Sequence, residues 1–140
     1  MPATFPVQFL AADRPFYEGE CVSLVLPTIT GMYGIMAHHR NMITAIIPGM
    51  MRYQLPGQPE EMAAVSAGLV KVENGEVLIL VDSAERPEEI DLNRARREAD
   101  AAKEALLQKR SIQEYRMAQF TLARAAARMK VKRRHGGFQG

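Results

Sequence analysis

The spacing of apolar residues changes once along the chain, near residue 90. Before that point it has a period of two, as where Leu24 and Leu26 share one face of a predicted strand that we expect Pro27 to end. Further strands are predicted at residues 42–47, 50–55, 60–66, 69–73 and 76–81. Asn74 and Gly75 join the last two, and this pair is typical of a type I′ hairpin turn. Six or more short strands without an intervening helix predict an antiparallel β-sandwich or barrel.

After residue 90 apolar side chains recur every three or four positions, which predicts two helices. Asp91 is a suitable N-cap for the first, over about residues 92–110, and Ser111 with Glu114 fits a capping box that starts the second, over about residues 112–134. The predicted buried positions are Leu92, Ala95, Ala99, Ala102 and Leu106, then Tyr115, Ala118, Leu122, Ala125 or Ala126, and Met129. Since alanine buries little apolar area, we expect a marginally held αα-hairpin.

Glycine and proline mark the boundary between the two parts. All 8 prolines and 7 of the 10 glycines lie at or before Pro87, and neither residue type occurs between positions 88 and 135. We therefore expect an α+β protein with a β-sandwich domain at residues 1–88 and a helical hairpin domain at residues 89–140.

The composition excludes several classes of protein. With 47% hydrophobic and 24% charged residues the chain is typical of a soluble globular protein, and no apolar run approaches the roughly 20 residues of a membrane helix. The N-terminus lacks the basic and apolar regions of a signal peptide, so we expect a cytoplasmic protein without direct membrane insertion. The single cysteine, Cys21, follows a strand pattern and is expected to be a small buried residue.

Charge is divided unevenly along the chain. Residues 1–91 carry a net charge of −7, whereas residues 92–140 carry +9, which favours contact with an acidic protein surface, a nucleotide or a nucleic acid. A nucleic-acid-binding module that uses the basic second helix is therefore an alternative, although aromatic residues for base stacking are sparse there. The pair His38 and His39 does not predict a metal site, because adjacent strand residues point to opposite faces and no further ligand lies nearby.

Several motifs occur in a particular order. Leu-Pro at 26–27 precedes Gly-x-x-Gly-Ile at 31–35, Ile-Pro-Gly at 47–49, Ser-Ala-Gly at 66–68 and Ile-Asp-Leu-Asn-Arg-Ala at 90–95. In order and spacing, over nearly the whole chain, they resemble the epsilon subunit of bacterial and chloroplast F-type ATP synthases. Two departures occur: residues 37–41 lack the prolines of the family's Pro-Gly-His-x-Pro loop, and Ala67 replaces the first glycine of Ser-Gly-Gly.

The resemblance implies a non-catalytic subunit in the central stalk of a proton-translocating ATP synthase, peripheral at the cytoplasmic face of the bacterial cell membrane. The sandwich would dock on the gamma subunit and the c-subunit ring, through a loop region that includes Gly31, Gly34, Ile35, His38 and His39. The helices would fold on the sandwich or extend toward the alpha and beta subunits and inhibit ATP hydrolysis. The implied partner-binding basic face is Arg116, Arg124, Arg128, Lys130, Lys132, Arg133 and Arg134.

Some bacterial members of that family bind ATP, with or without Mg²⁺, as a regulatory ligand at the folded hairpin, and no cofactor is required. The matching residues here are Glu85, Ile90, Asp91, Arg94, Arg124 and Arg128. Arginine suits this role because its planar guanidinium makes paired contacts to phosphate oxygens. A further first-helix arginine of the family is Ala101 here. Simpler interpretations stay open: Asp91 as an N-cap alone, and Arg124 and Arg128 as a solvated face or as partner contacts without nucleotide.

Overall fold

A computed structural model describes residues 2–108 and 111–136 of the chain. Ten strands form the first domain. They are β1 (Phe5–Ala11), β2 (Pro15–Cys21), β3 (Ser23–Thr28), β4 (Gly31–Met36), β5 (Met42–Ile46), β6 (Gly49–Gln54), β7 (Glu61–Val65), β8 (Gly68–Glu73), β9 (Glu76–Val81) and β10 (Ala84–Glu85). A 3₁₀ turn (Pro87–Glu89) leads to two helices, α1 (Leu92–Leu107) and α2 (Ile112–His135). The α+β fold class predicted from the sequence is confirmed.

The strands run in the order β10-β7-β6-β3-β5-β8-β9-β1-β2, and β4 pairs with β3. All pairs are antiparallel except β1 with β9, which is parallel, so the prediction of a purely antiparallel sheet is wrong at this place. The inward side chains of the strands enclose a core that includes Phe9, Leu24, Leu26 and Ile79. The turn between β8 and β9 has positive φ at Asn74 (52°) and Gly75 (79°), as the Asn-Gly signal predicts.

Strands β1, β2, β4 and β10 were not predicted. Strand β1 alternates inward and outward residues along its whole length, with Phe5, Val7 and Phe9 buried, so the signal was present in the sequence. Strand β2 buries only Phe16 and Cys21 and carries three exposed residues in succession, which hides its period. The two strands nevertheless pair from Phe5 with Cys21 to Leu10 with Pro15, with a bulge after Phe9.

Strand β3 does not end at Pro27. It continues to Thr28 and pairs across its length with β4, where Pro27 lies opposite Met32. On its other side β3 pairs with β6 up to Val25 and with β5 only at Thr28. Pro27 therefore stands at an interruption of that ladder, where a residue without an amide hydrogen is tolerated. Its carbonyl still accepts a hydrogen bond from the amide of Ile47 at 3.0 Å.

Both helices begin at the predicted caps. The Asp91 carboxylate accepts from the amide of Arg94 at 3.0 Å, and the Ser111 hydroxyl accepts from the amide of Glu114 at 3.2 Å. Helix α1 ends at Leu107, earlier than predicted, because Gln108 already has an extended backbone with ψ 127°. The remaining predicted residues of that helix, 109 and 110, lie outside the described residues, as do residues 137–140.

Three of the predicted residues of α1 are buried, the alanines Ala95, Ala99 and Ala102. The other predicted positions on the two helices, Leu92, Leu106, Leu122 and Met129, are only half-buried. In α2 the buried residues are Ala118, Ala125, Ala127 and Val131. The choice left open between Ala125 and Ala126 falls on Ala125, and Tyr115 is exposed rather than buried. Tyr115 lies in the first turn of α2, beyond the part of the helix that meets the sandwich. The sequence prediction also missed that α2 has a second buried face.

That second face joins the hairpin to the sandwich. Ala127 and Val131 pack with Met50 of β6, Ala64 of β7 and Ile90 in a small apolar cluster separate from the main core. Helix α2 alone makes the main contact with β6, β7 and the 3₁₀ turn, and α1 packs on α2. Since few apolar side chains take part, this attachment is weak compared with the sandwich core.

Candidate functional site

One arginine connects the three parts of the molecule. Arg128 of α2 donates through Nε to Glu85 of β10 at 2.5 Å and through Nη1 to Glu98 of α1 at 3.1 Å. The three side chains are only 22%, 25% and 29% exposed, respectively, so water screens these contacts less than at an open surface. The family resemblance assigned Glu85 and Arg128 to one ATP site, and in the structure the two side chains are in direct contact.

Glu98 was not predicted as a site residue. Its second carboxylate oxygen accepts from Nε of Arg94 at 3.0 Å, so Glu98 contacts both Arg94 and Arg128. Arg94 and Glu98 are four residues apart and therefore neighbours on one helical face, a signal that was available in the sequence. The contact to Arg128 was not, because nothing local fixes how α1 lies on α2.

Arg124 lies beside this group, one turn before Arg128. Its Nε is buried and has no hydrogen-bond partner among the described residues. Its guanidinium carbon lies 5.7 Å from the ring centre of Phe120. The space bordered by Ser66, Ser83, Glu85, Arg124 and Arg128 is a half-open depression without room for a water molecule. Typical small-molecule pockets measure roughly 300–1,000 Å³, so a nucleotide would require the surrounding side chains to move.

The other two residues matched to the ATP site have structural partners. Ile90 is buried in the small cluster with Val131, so its side chain faces protein. Asp91 caps α1 with its carboxylate. Neither arrangement excludes backbone or carboxylate contacts to a ligand, but each residue has a role that requires none.

The segment that leads into α1 is anchored to the sandwich. Glu89 accepts from the amide of Arg86 at 3.1 Å and pairs with Arg14 of the β1–β2 turn. Arg86 lies over the ring of Phe16, 4.0 Å from its centre. Burial alone would raise the pKa of Glu89, but the hydrogen bonds from Arg86 and Arg14 hold it below its ordinary value. These contacts fix the point at which the hairpin leaves the sandwich.

The seven basic residues of α2 do not share one face in this folded form. Arg128 is used at the junction, and Lys132 donates to the carbonyl of Pro87 at 2.9 Å. Arg116, Lys130 and Arg134 have no ion pair with any described residue. Arg133 is exposed and donates to the carbonyl of Met129 at 3.4 Å, and Arg124 is half-buried beside the junction. A partner would therefore meet only part of the predicted basic face.

The residues of the predicted partner loop extend along β4, from Gly31 at its start to His38 and His39 beyond its end. Gly31, with φ 113°, is exposed at the start of β4, next to the β3–β4 turn. Gly34 lies inside β4 rather than in the predicted loop. Ile35 is fully buried, so its side chain faces the core rather than a partner. His38, with φ 66°, and His39 lie outside any strand, so the expectation of opposite strand faces is wrong.

His39 has an internal role in this region. Its Nε2 lies 2.9 Å from the hydroxyl of Tyr33, and its Nδ1 lies 2.7 Å from the carbonyl oxygen of Arg40. These contacts hold the loop without the two prolines of the family pattern. Several large apolar side chains between residues 29 and 47 are exposed: Ile29, Met32, Met36, Ile43 and Ile47.

The described residues contain neither a cluster of metal ligands nor a membrane-spanning helix. Among residues 2–108 and 111–136, no group of three His, Cys, Asp or Glu side chains could hold a metal ion. Within the same ranges, neither helix is apolar enough over sufficient length to cross a membrane.

Comparison with known proteins agrees with this architecture. The family model for the β-sandwich domain of the ATP synthase delta/epsilon chain matches residues 4–87, and the model for its long alpha-helix domain matches residues 88–133. The ATP synthase epsilon chain of Ruminiclostridium cellulolyticum is 38% identical over 94% of this chain and 98% of its own length. The ATP synthase epsilon chain of Caldanaerobacter subterraneus subsp. tengcongensis is 39% identical over 94% and 95%, respectively.

Solved structures share the fold at lower identity. A chain of the Euglena gracilis mitochondrial ATP synthase superposes with a TM-score of 0.78 at 19% identity, over 91% of this chain and 80% of that one. A chain of the Tetrahymena thermophila mitochondrial ATP synthase gives a TM-score of 0.66 at 10% identity, over 94% and 98%. Given two family models that together span residues 4–133 and relatives 38–39% identical over nearly their whole length, the chain belongs to the ATP synthase delta/epsilon chain family.

Proposed function

We propose that this chain is a non-catalytic subunit of the central stalk of a proton-translocating F-type ATP synthase, in which the sandwich couples the catalytic head to the rotating c-ring and the helical hairpin regulates ATP hydrolysis. The observation that carries the regulatory part is the junction of Glu85, Arg128 and Glu98. It joins a sandwich strand and both helices through polar contacts and a small apolar cluster. Such an attachment can be broken without unfolding the sandwich, which a two-state regulatory element requires.

The free end of the hairpin supports a second partner for the helices. Leu107 is 79% exposed, Ile112 67% and Met117 72%, at the end of the hairpin that lies away from the sandwich. Apolar side chains collected at one place on a surface favour protein contact. The exposed cations Arg116, Lys130 and Arg134 add charge complementarity to an acidic surface, as the alpha and beta subunits would offer.

The sandwich offers a different surface for the rotor. The exposed Ile29 and Met32 flank the β3–β4 turn that leads to Gly31, and the exposed Met36 lies at the other end of β4. The family resemblance assigns this region to contact with gamma and the c-ring. As part of this complex, the chain would lie peripherally at the cytoplasmic face of the membrane. The apolar side chains would be buried upon assembly.

ATP as a regulatory ligand is a second part of the proposal. Arg124 supports it, because a buried guanidinium nitrogen without a partner is rare and would be satisfied by a phosphate oxygen. Arg94 and Arg128 lie on the same side of the hairpin and are joined through Glu98. If ATP binds only the folded hairpin, its concentration sets the fraction of chains that inhibit.

The regulatory proposal is tested by ATP hydrolysis of the cognate alpha, beta and gamma assembly. The full chain is compared with a chain that ends at Glu89, after both have been shown to join the complex. We expect only the full chain to slow hydrolysis, several-fold. Equal rates would mean that the hairpin is a structural part of a coupling subunit.

Charge variants separate the second helix from a general charge effect. The triple variant Arg116→Ala, Lys130→Ala and Arg134→Ala removes exposed cations of α2. Its matched control, Arg96→Ala, Arg97→Ala and Lys103→Ala, removes three exposed cations of α1. We expect the first to relieve inhibition and the second to retain it. Relief by both would show that net charge, rather than the second helix, carries the contact.

A further inference from the structure

Glu98 engages two of the three arginines that the family resemblance assigns to the ATP site. One oxygen of its carboxylate accepts from Arg94 Nε at 3.0 Å and the other from Arg128 Nη1 at 3.1 Å. A carboxylate and a phosphate present similar pairs of anionic oxygens to guanidinium groups. In this chain an internal group thus holds the place where the family resemblance would put phosphate.

Apart from Arg94 and Arg128, no cation among the described residues lies beside Glu98 at the next turn of α1. The next turn of α1 carries Ala101, which lines the groove between the two helices together with Glu98 and Glu114. Arg124, the other candidate for phosphate, is not paired with Glu98 and has its Nε unsatisfied. Of the two arginines that border the depression beside Ser66 and Ser83, Arg128 is therefore engaged by carboxylates and Arg124 is not.

We propose that Glu98 is an intramolecular competitor for nucleotide phosphate, which engages Arg94 of its own helix, holds α1 on α2 through Arg128 when no nucleotide is bound, and must withdraw before ATP binds. This inference rests on the ATP site proposed above. Withdrawal is local, because Glu98 lies on the outer helix and is 29% exposed, so its side chain can turn into solvent while α2 stays on the sandwich.

The consequence is a shifted threshold for ATP. At low ATP concentration the carboxylate of Glu98 stabilises the folded hairpin. ATP must then displace this carboxylate, so a higher ATP concentration is needed than if Arg94 and Arg128 were free. An equilibrium shifts only as far as the ligand's affinity differs between states, and competition by Glu98 lowers that difference.

The experiment measures MgATP binding to the full chain by isothermal titration calorimetry in three forms: wild type, Glu98→Gln and Glu104→Gln. Glutamine keeps the size of the side chain and removes the charge that engages the arginines. Glu104 lies on the same helix, is exposed and has no ion pair with any described residue, so it matches the change in net charge. We expect Glu98→Gln to bind ATP roughly 5- to 30-fold more tightly than wild type, as a charged hydrogen bond no longer competes, and Glu104→Gln to match wild type.

Hydrogen exchange without nucleotide supplies the second readout. Glu98→Gln should speed amide exchange in α2, because one of the contacts of Arg128 is lost, whereas Glu104→Gln should not. A purely structural role for Glu98 predicts the same faster exchange but equal or weaker ATP binding, because a smaller fraction of the hairpin is folded.

The outcomes are distinguishable. Tighter binding by Glu98→Gln, together with faster exchange, supports the competitor. Equal or weaker binding overturns it while leaving the ATP site in place, provided that Arg128→Ala abolishes binding. Absence of binding in all three forms up to millimolar ATP overturns the ATP part of the proposed function and the competitor with it, but leaves the regulatory test on hydrolysis unaffected.

Discussion

Gly68 and Leu80 approach so closely that a β-carbon on Gly68 would stand 1.9 Å from the carbonyl oxygen of Leu80. The same β-carbon would lie 2.7 Å from the α-carbon of Val81. Gly68 begins β8, which pairs with β5 on one side and with β9 on the other, so neither neighbour can retreat freely. The second glycine of the Ser-Gly-Gly pattern is therefore required by close backbone approach.

Replacing Gly68 by alanine should destabilise the sandwich by about 3 kcal/mol, because the β8–β9 backbone must separate to admit a methyl group. Urea unfolding followed by far-ultraviolet circular dichroism measures the change. The control is Gly34→Ala in β4, where the nearest atom to the new methyl group is 4.0 Å away. That variant should stay within about 1 kcal/mol of wild type, and an equal loss at both positions would contradict the argument from close approach.

Val131 attaches the hairpin to the sandwich. It is fully buried against Met50, Ala64 and Ile90, outside the main core. Val131→Asp should release α2, since a carboxylate cannot remain in this cluster unpaired. We expect amide protection in α2 to fall about 100-fold, corresponding to about 2.7 kcal/mol, while β8 and β9 keep theirs.

Ala126→Asp is the control for Val131→Asp, because Ala126 lies on the same helix and is exposed. It should leave protection in α2 within a few-fold of wild type. If Val131→Asp lowers protection in β8 and β9 as much as in α2, the hairpin and the sandwich unfold as one unit, and the regulatory element cannot move independently.

The sequence predicted the elements better than their contacts. Alternation and the Asn74-Gly75 turn locate β3 and the strands β5 to β9, and Asp91 and Ser111 start the helices, because these signals act within a few residues. The order of strands in the sheet and the parallel pairing of β1 with β9 arise from contacts far apart in the sequence, which no local period encodes.

The same limit applies to the junction. Glu85 and Arg128 were placed at one site by resemblance to a family, not by any pattern of their own. Glu98 was missed because its pairing with Arg128 depends on the packing of two alanine faces. Val131 was missed because the sequence prediction gave α2 a single buried face, the one toward α1.

Glu89 should make stability depend on pH in the acid range. Its pKa is held below its ordinary value of 4.5 by Arg86 and Arg14, against the opposing effect of burial. Because the folded pKa is the lower one, the stabilisation is present above about pH 4.5 and is lost as pH falls through the folded value. Glu89→Gln should therefore be less stable than wild type at pH 7, and the difference should shrink as the pH falls below 4.5.

Urea unfolding at pH 7, 5, 4 and 3 measures this difference. Glu18→Gln, an exposed residue of β2 without an ion pair among the described residues, is the control for the change in charge. A difference between Glu89→Gln and wild type that does not depend on pH would show that the carboxylate charge contributes nothing at this position.

Cys21 should be unreactive in the folded protein. It is 1% exposed, and burial raises the pKa of its thiol to about 11, with a further contribution from Glu20. Against an ordinary value of 9.0, the thiolate fraction at pH 8 falls about 100-fold. Alkylation by iodoacetamide at pH 8 should therefore be at least about 100-fold slower for the native chain than in urea.

The raised pKa of Cys21 also carries a sign for stability. Since the folded value is the higher one, its contribution is complete below about pH 9 and is lost as pH rises through about 11. Tyr53, whose pKa burial raises to about 12, acts in the same direction. Cys21→Ser should reduce this loss but not abolish it, because the contribution of Tyr53 remains. Alkylation of native Cys21 at the rate seen in urea would mean that β2 opens on the timescale of the reaction, and the edge of the sheet would then be its least stable part.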